Sequence, residues 1–238
     1  MKKAIVVGAS SGMGSRVAKL LLESGWSVGI AARRVDKLNE VFADYKNAII
    51  CRIDVTSDGA GDSLAMLADK LGGLDLYFHA SGIGKQNKTL QPEIEISTVQ
   101  TNGVGFVRMV TAAYNYMANH TGGHIAVISS IAGTKGLGPA PSYSATKALQ
   151  NTYVQALEQL ANMQKKPITF TDIRPGFVDT DLLSGDHYPM LMNPDYVARR
   201  IYKSIMYNKH VCIIDHRWAI LVFLWRLVPG FIWRRLSL

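Results

Sequence analysis

Short apolar, β-branched runs recur along the chain at residues 4–7, 27–30, 48–51, 74–78, 124–128, 168–171 and 211–214. Each is only four or five residues long and bounded by polar or glycine-containing segments, the pattern of a strand buried on both faces. The stretches beside them carry apolar residues at helical spacing, beginning with Val17, Leu20, Leu21 and Leu22. Seven buried strands alternating with helices predict an α/β fold: a doubly wound parallel sheet, wound right-handed, with helices on both faces. No linker interrupts the alternation, so residues 1–214 read as one domain. Residues 215–238 follow as an apolar, helical extension.

Composition narrows this picture without naming a function. At 238 residues, with 48% hydrophobic and 18% charged positions, the chain fits one folded domain with a sizeable core and no low-complexity tract. A formal charge of +8 favours anionic partners, whether phosphorylated cofactors, acidic lipid or nucleic acid. The basic residues are scattered and accompany no nucleic-acid-binding motif, which argues against the last of these. Cys51 and Cys212 stand far apart with no Cys/His cluster, so they read as reduced thiols and no metal site is expected. The apolar run behind Met1-Lys2-Lys3 is too short for an export segment, which points to the cytoplasm.

The chemistry concentrates where strands end. The first strand runs into Gly8-Ala9-Ser10-Ser11-Gly12-Met13-Gly14 and then a helix. Small residues there allow a tight turn, and a pyrophosphate can rest on the first amides and positive end of the helix. After the second strand stand Arg33 and Arg34, where an NAD site would carry a carboxylate for the ribose 2′-hydroxyl. A guanidinium instead holds a 2′-phosphate, which favours NADP. Both arginines can equally open a solvated helix, and Arg33 is ranked ahead of Arg34. Tyr143 and Lys147, four apart, share a helix face, pairing a phenol with an ammonium.

With these elements in order, residues 3–214 resemble the short-chain dehydrogenase/reductase family, whose fold is Rossmann-like. Asp54-Val55, Asn102, the run Ile128-Ser129-Ser130-Ile131-Ala132-Gly133, and Arg174-Pro175-Gly176-Phe177-Val178-Asp179-Thr180 also stand at the family's usual places. The resemblance implies an NADPH-dependent oxidoreductase reducing a ketone or aldehyde, with the reverse oxidation open to it. It gives roles by position. Ser130, thirteen residues before Tyr143, would donate to the substrate oxygen; Tyr143 would transfer the proton; Lys147 would lower the tyrosine pKa and hold the nicotinamide ribose; Asn102 would anchor a water relay. Ser129 competes for the serine role, but neighbouring strand residues face opposite ways.

For the cofactor, the resemblance implies Asp54 and Val55 at the adenine, and Ala80, Ser81 and Gly82 along the ribose and nicotinamide. Pro175, Gly176, Val178 and Thr180 would lie near the carboxamide. Asp54 could instead cap the following turn at Thr56 and Ser57, and Pro175-Gly176 could be a plain turn. The family often has a threonine where Val7 stands and Asn-Asn-Ala-Gly where His79-Ala80-Ser81-Gly82 stands, and His79 reads as a structural substitute. The competing function is an NADPH-binding sensor or scaffold without turnover, for which loss of Ser130, Tyr143 or Lys147 would be expected.

Two segments remain. Residues 181–193, with Leu182, Leu183, Tyr188, Met190, Leu191 and Met192, form an apolar lid that either lines a pocket for an apolar substrate or packs on the core. Residues 216–235 hold three of the four tryptophans and no acid, and are too interrupted to span a bilayer. They suit peripheral contact with the inner face of an anionic membrane, or cover an apolar patch on this chain or a neighbouring subunit. The resemblance further implies a homodimer or homotetramer through residues 97–120 and 142–163.

Overall fold

The computed structural model describes residues 1–183 and 188–236. Seven parallel strands, β1 (Lys3–Val7), β2 (Ser27–Ala32), β3 (Ala48–Arg52), β4 (Leu76–His79), β5 (Gly123–Ile128), β6 (Ile168–Pro175) and β7 (Val211–Ile214), form one sheet in the order β3-β2-β1-β4-β5-β6-β7. The expected seven-stranded, doubly wound sheet is therefore present. Its strands alternate between two apolar layers. Ala4 and Val6 face a core shared with α1 (Gly12–Glu23), α2 (Val35–Phe42) and later helices, while Ile5 and Val7 face one built with α3 (Ala60–Leu71). That alternation explains why the runs read as largely apolar: both faces of the central strands β1, β2, β4 and β5 are buried, while β3 is half-buried and Thr169 in β6 and Val211 in β7 are exposed.

Between β4 and β5 the chain forms α4 (Pro92–Val99), a π-helical turn (Gln100–Gly105) and α5 (Phe106–Ala118). The long α6 (Pro141–Met163) and α7 (Pro194–Met206) flank β6. The strand order reverses between β1 and β4, so the loops after these two strands diverge to opposite faces and leave a crevice at their carboxyl ends, the usual ligand position in open α/β sheets.

The C-terminal segment forms α8 (His216–Leu227) and the short α9 (Gly230–Trp233). It does not stand apart from the domain. Trp218 and Val222 are buried in the same apolar layer as α1 and α7.

Candidate active site

The glycine turn begins at the end of β1. Gly8 has φ +91°, and a Cβ there would come within 2.5 Å of the Ser81 amide nitrogen, so the turn after β1 and the loop after β4 touch only because this position is glycine. Gly14 lies against the Gly8 carbonyl, and Met13 packs on the core below. Ser11 is the N-cap residue of α1, yet its side chain makes no capping bond, so its hydroxyl satisfies none of the first helix amides. Thr180, from the loop after β6, approaches Gly12 from the other side.

Arg34, rather than Arg33, is tied to this turn. Its Nη2 donates to Ser10 Oγ at 3.0 Å and Ser11 Oγ at 3.4 Å. Arg33 instead lies near Asp54, where its charge is one of several influences. Burial opposes ionisation of Asp54, but bonds from the Thr56 hydroxyl and amide, then the Arg33 and Arg52 charges, hold its carboxyl below the usual range. Asp54 Oδ1 accepts from Thr56 N and Oγ1 at 3.0 and 2.7 Å, an Asx turn that leaves Oδ2 outside the bond. The Val55 carbonyl accepts from Arg108 on α5 at 3.0 Å, so its amide is what it can offer a ring.

The loop after β4 carries Ala80, Ser81 and Gly82 into the crevice. A Cβ on Gly82 would lie 3.3 Å from Asn102 Oδ1 and 3.8 Å from Lys147 Nζ, and Gly84 packs on the Tyr143 ring. His79, at the end of β4, is fully buried, with Nδ1 2.7 Å from the Tyr77 hydroxyl and its ring edge-on to Phe106. Burial, then the Lys147 charge, pushes its pKa down to about 3, so it remains a neutral structural side chain.

Ser129 and Ser130 point in different directions from the end of β5. The Ser129 hydroxyl is spent on the buried Asp172 carboxylate, which also receives Arg174 Nε at 2.8 Å. Ser130 Oγ accepts from Ala132 N at 3.1 Å and donates only weakly to Pro175 O at 3.4 Å. It therefore keeps hydrogen-bonding capacity toward Tyr143. Burial raises the Tyr143 phenol above its ordinary value, and a bond with Ser130 pulls it partly back.

Lys147 does not act on the phenol in the expected way. Its Nζ lies 5.6 Å from the centre of the Tyr143 ring and donates to Ile128 O at 3.0 Å and Gln150 Oε1 at 2.9 Å. Burial lowers its pKa to about 8, with Asp172 opposing that fall. The phenol is thus shifted by its burial rather than by a touching ammonium.

Asn102, in the π-helical turn, presents its side chain to the loop after β4, where Nδ2 donates to Ile83 O at 2.6 Å and Oδ1 accepts from Ile83 N at 2.8 Å. Its carbonyl accepts from Gln150 Nε2 at 2.8 Å. The Gln150 side-chain amide therefore spans the Lys147 ammonium and the Asn102 carbonyl. Gln150 and Asp172 are absent from the sequence expectation. The first was findable at three residues beyond Lys147 on the same helix, the second as an acid inside an apolar strand.

Beyond β6, Pro175 closes the strand. A Cβ on Gly176 would strike the Trp218 indole at 2.3 Å, so this glycine admits the C-terminal helix to the site's back wall. The Phe177 ring meets Trp218 edge to face at 5.5 Å between centroids and lies tilted against Tyr188 at 4.7 Å. Val178 pairs with Met192, and both are buried, whereas Leu182 and Leu191 are exposed. The apolar 181–193 segment thus divides between packing and an open face, while its residues 184–187 lie outside the described residues.

The arrangement can hold an anionic dinucleotide over the turn and place a hydroxyl, a phenol and a buried ammonium at the adjacent strand ends. Its relatives are consistent with this. The short chain dehydrogenase family profile matches residues 2–187. An uncharacterized oxidoreductase of Staphylococcus aureus strain N315 is 31% identical over 218 residues, covering 88% of this chain and 93% of the relative. Another, from Mycobacterium tuberculosis strain CDC 1551 / Oshkosh, is 29% identical over 202 residues, covering 80% and 79%. Among solved structures, ElxO with NADP bound superposes with TM-score 0.80 at 23% identity, covering 92% of this chain and 99% of that one. An actinorhodin polyketide ketoreductase variant with NADPH gives 0.77 at 22% identity, covering 90% and 95%. The profile spans well over half of the chain and the Staphylococcus aureus relative is covered almost throughout, and the chain belongs to the short-chain dehydrogenase/reductase family of oxidoreductases.

Proposed function

We propose that this protein is an NADPH-dependent reductase of an apolar ketone or aldehyde, with alcohol oxidation as the reverse reaction. The observation that carries the reading is the grouping of Ser130, Tyr143 and buried Lys147 against the loop after β4, which on its other side touches the turn at Gly8. NADPH, when bound, supplies hydride to the substrate carbon. Ser130 Oγ orients the carbonyl oxygen, and Tyr143 delivers the proton there. A phenol held above its usual pKa arrives protonated at neutral pH, as the reductive direction requires. Lys147, charged below about pH 8, offers its remaining N–H to a ribose hydroxyl.

The 2′-phosphate reading rests on Arg34 and Arg33 together with the hydroxyls of Ser10 and Ser11. The ketoreductase and ElxO structures, which hold NADPH and NADP, lend support by analogy of fold. The exposed Leu182 and Leu191 favour an apolar substrate.

NADPH oxidation against ketones and aldehydes of graded chain length tests the proposal. Turnover should rise with apolar chain length, and Arg34→Ala should raise KM for NADPH by about tenfold or more while leaving NADH nearly unchanged. Binding of NADPH with no carbonyl consumed would favour a sensor instead.

A further inference from the structure

Among the described residues, nothing covers the outer apolar face of the C-terminal helices. α8 is apolar on all sides, a composition ordinarily found in fully buried helices. Only one side is buried here. Trp218 and Val222 face the core, with Leu221 and Trp225 partly covered, whereas Phe223 is 64% exposed and Leu227 66%. Ile220 and Leu224 share the helical face of Phe223 and Leu227 and are also exposed, as is Phe231 on α9 at 65%. The patch is held in place from below. Trp225 Nε1 donates to Thr134 Oγ1 at 2.9 Å, Trp233 Nε1 to Gly136 O at 2.8 Å, and Lys135 Nζ to Val228 O at 2.9 Å. It is a formed surface rather than a loose end.

We propose that this face docks on an anionic phospholipid bilayer, lying in the interface with its aromatic and leucine side chains among the acyl chains. Charge selects this occupant. Residues 216–236 contain four arginines and no acid, and Arg226, Arg234 and Arg235 are exposed around the apolar patch. A second copy pairing about a two-fold axis would set arginine against arginine, whereas an anionic lipid surface supplies both an apolar phase and the opposite charge. Among the described residues no helix is long and apolar enough to cross a membrane, so the contact is peripheral. The residues that anchor the tail, Thr134 to Gly136, directly follow the Ser130 turn, so docking holds the crevice close to the bilayer. The inference does not depend on the reductase reading.

Co-sedimentation of the full chain with vesicles tests it. The wild type should sediment with vesicles of phosphatidylcholine plus phosphatidylglycerol, be released by high salt, and stay in the supernatant with phosphatidylcholine alone. Replacing Arg226, Arg234 and Arg235 by Gln should weaken the association about 100-fold. Phe223→Ser, Leu227→Ser and Phe231→Ser combined should abolish it. Circular dichroism melting checks that each variant is folded; if the serine variant is not, the arginine variant alone decides. No sedimentation of the wild type with either vesicle overturns the proposal, as does binding that both folded variants retain. A dimer in lipid-free sizing that either variant converts to monomer, without vesicle binding by the wild type, would assign the face to a second copy.

Discussion

The crevice at the ends of β4, β5 and β6 and the outer face of α8 and α9 reverse one another. In the crevice, groups that prefer water are buried. Lys147, Asn102, Gln150 and Asp172 are all inaccessible, and each is held by named partners. On the outer face, groups that avoid water are exposed, with nothing described against Phe223, Leu227 or Phe231. Buried polar networks cost stability unless satisfied, and exposed apolar patches cost solubility unless covered. A chain that accepts both costs does so where chemistry or contact requires it. The buried polar groups of the first region find their partners within the chain, whereas the apolar groups of the second meet none among the described residues.

The sharpest way to break this comparison lies within one helix. Trp218→Ala removes a buried indole from against Gly176 and Phe177 and should cost about 3–5 kcal/mol in urea unfolding. If it costs less than about 1 kcal/mol, the inner face of α8 is not part of the core. Within the crevice, Gln150→Leu should lose about 1–3 kcal/mol by leaving the ammonium and the Asn102 carbonyl each short of a partner. Because an acceptor of the charged form is gone, it should also move the alkaline limb of kcat/KM for NADPH to lower pH. An unchanged limb would separate Gln150 from the Lys147 titration.

In the wild type that limb should begin near pH 8. The folded Lys147 pKa is about 8 and its ordinary value 10.5, so the ammonium needed at the ribose is lost above pH 8. The sign for stability is opposite. Between about pH 8 and 10.5 the unfolded chain binds the proton and the folded chain does not, so this group's contribution to stability rises with pH. A flat profile of kcat/KM from pH 7 to 10 would deny Lys147 its role. The smallest effect is expected on the outer face: Phe223→Ser should change unfolding stability by no more than about 0.5 kcal/mol. A large loss would show that the ring is packed rather than presented.

The number of strands and their positions were legible in the sequence because burial leaves short, largely apolar runs, of which 211–214 matches β7 to the residue, whereas the order of the strands came only from the structure. The glycine turn was legible because Gly8 and Gly14 answer to backbone approaches that no other residue allows. What could not be read were choices among near neighbours and partners distant in sequence. Arg33 and Arg34 have identical chemistry, and only the start of α2 decides that Arg34 turns to Ser10. The Lys147 effect on Tyr143 depends on Ile128 and Gln150 competing for the ammonium, and the Asn102 bridge on a π-helical turn that periodicity does not encode. The tail read as an addition because the resemblance does not require its Trp-rich, acid-free composition, yet Trp218 and Val222 are core residues.

The central claim is that Tyr143 is the proton donor of a hydride-transfer site, and Tyr143→Phe tests it most directly. With a carbonyl substrate found in the chain-length screen, NADPH binding followed by fluorescence and turnover followed by NADPH absorbance are measured on the same preparation. The account predicts a dissociation constant for NADPH within about threefold of wild type and a fall in kcat of at least about 10²-fold. Wild-type turnover in the phenylalanine variant would contradict it.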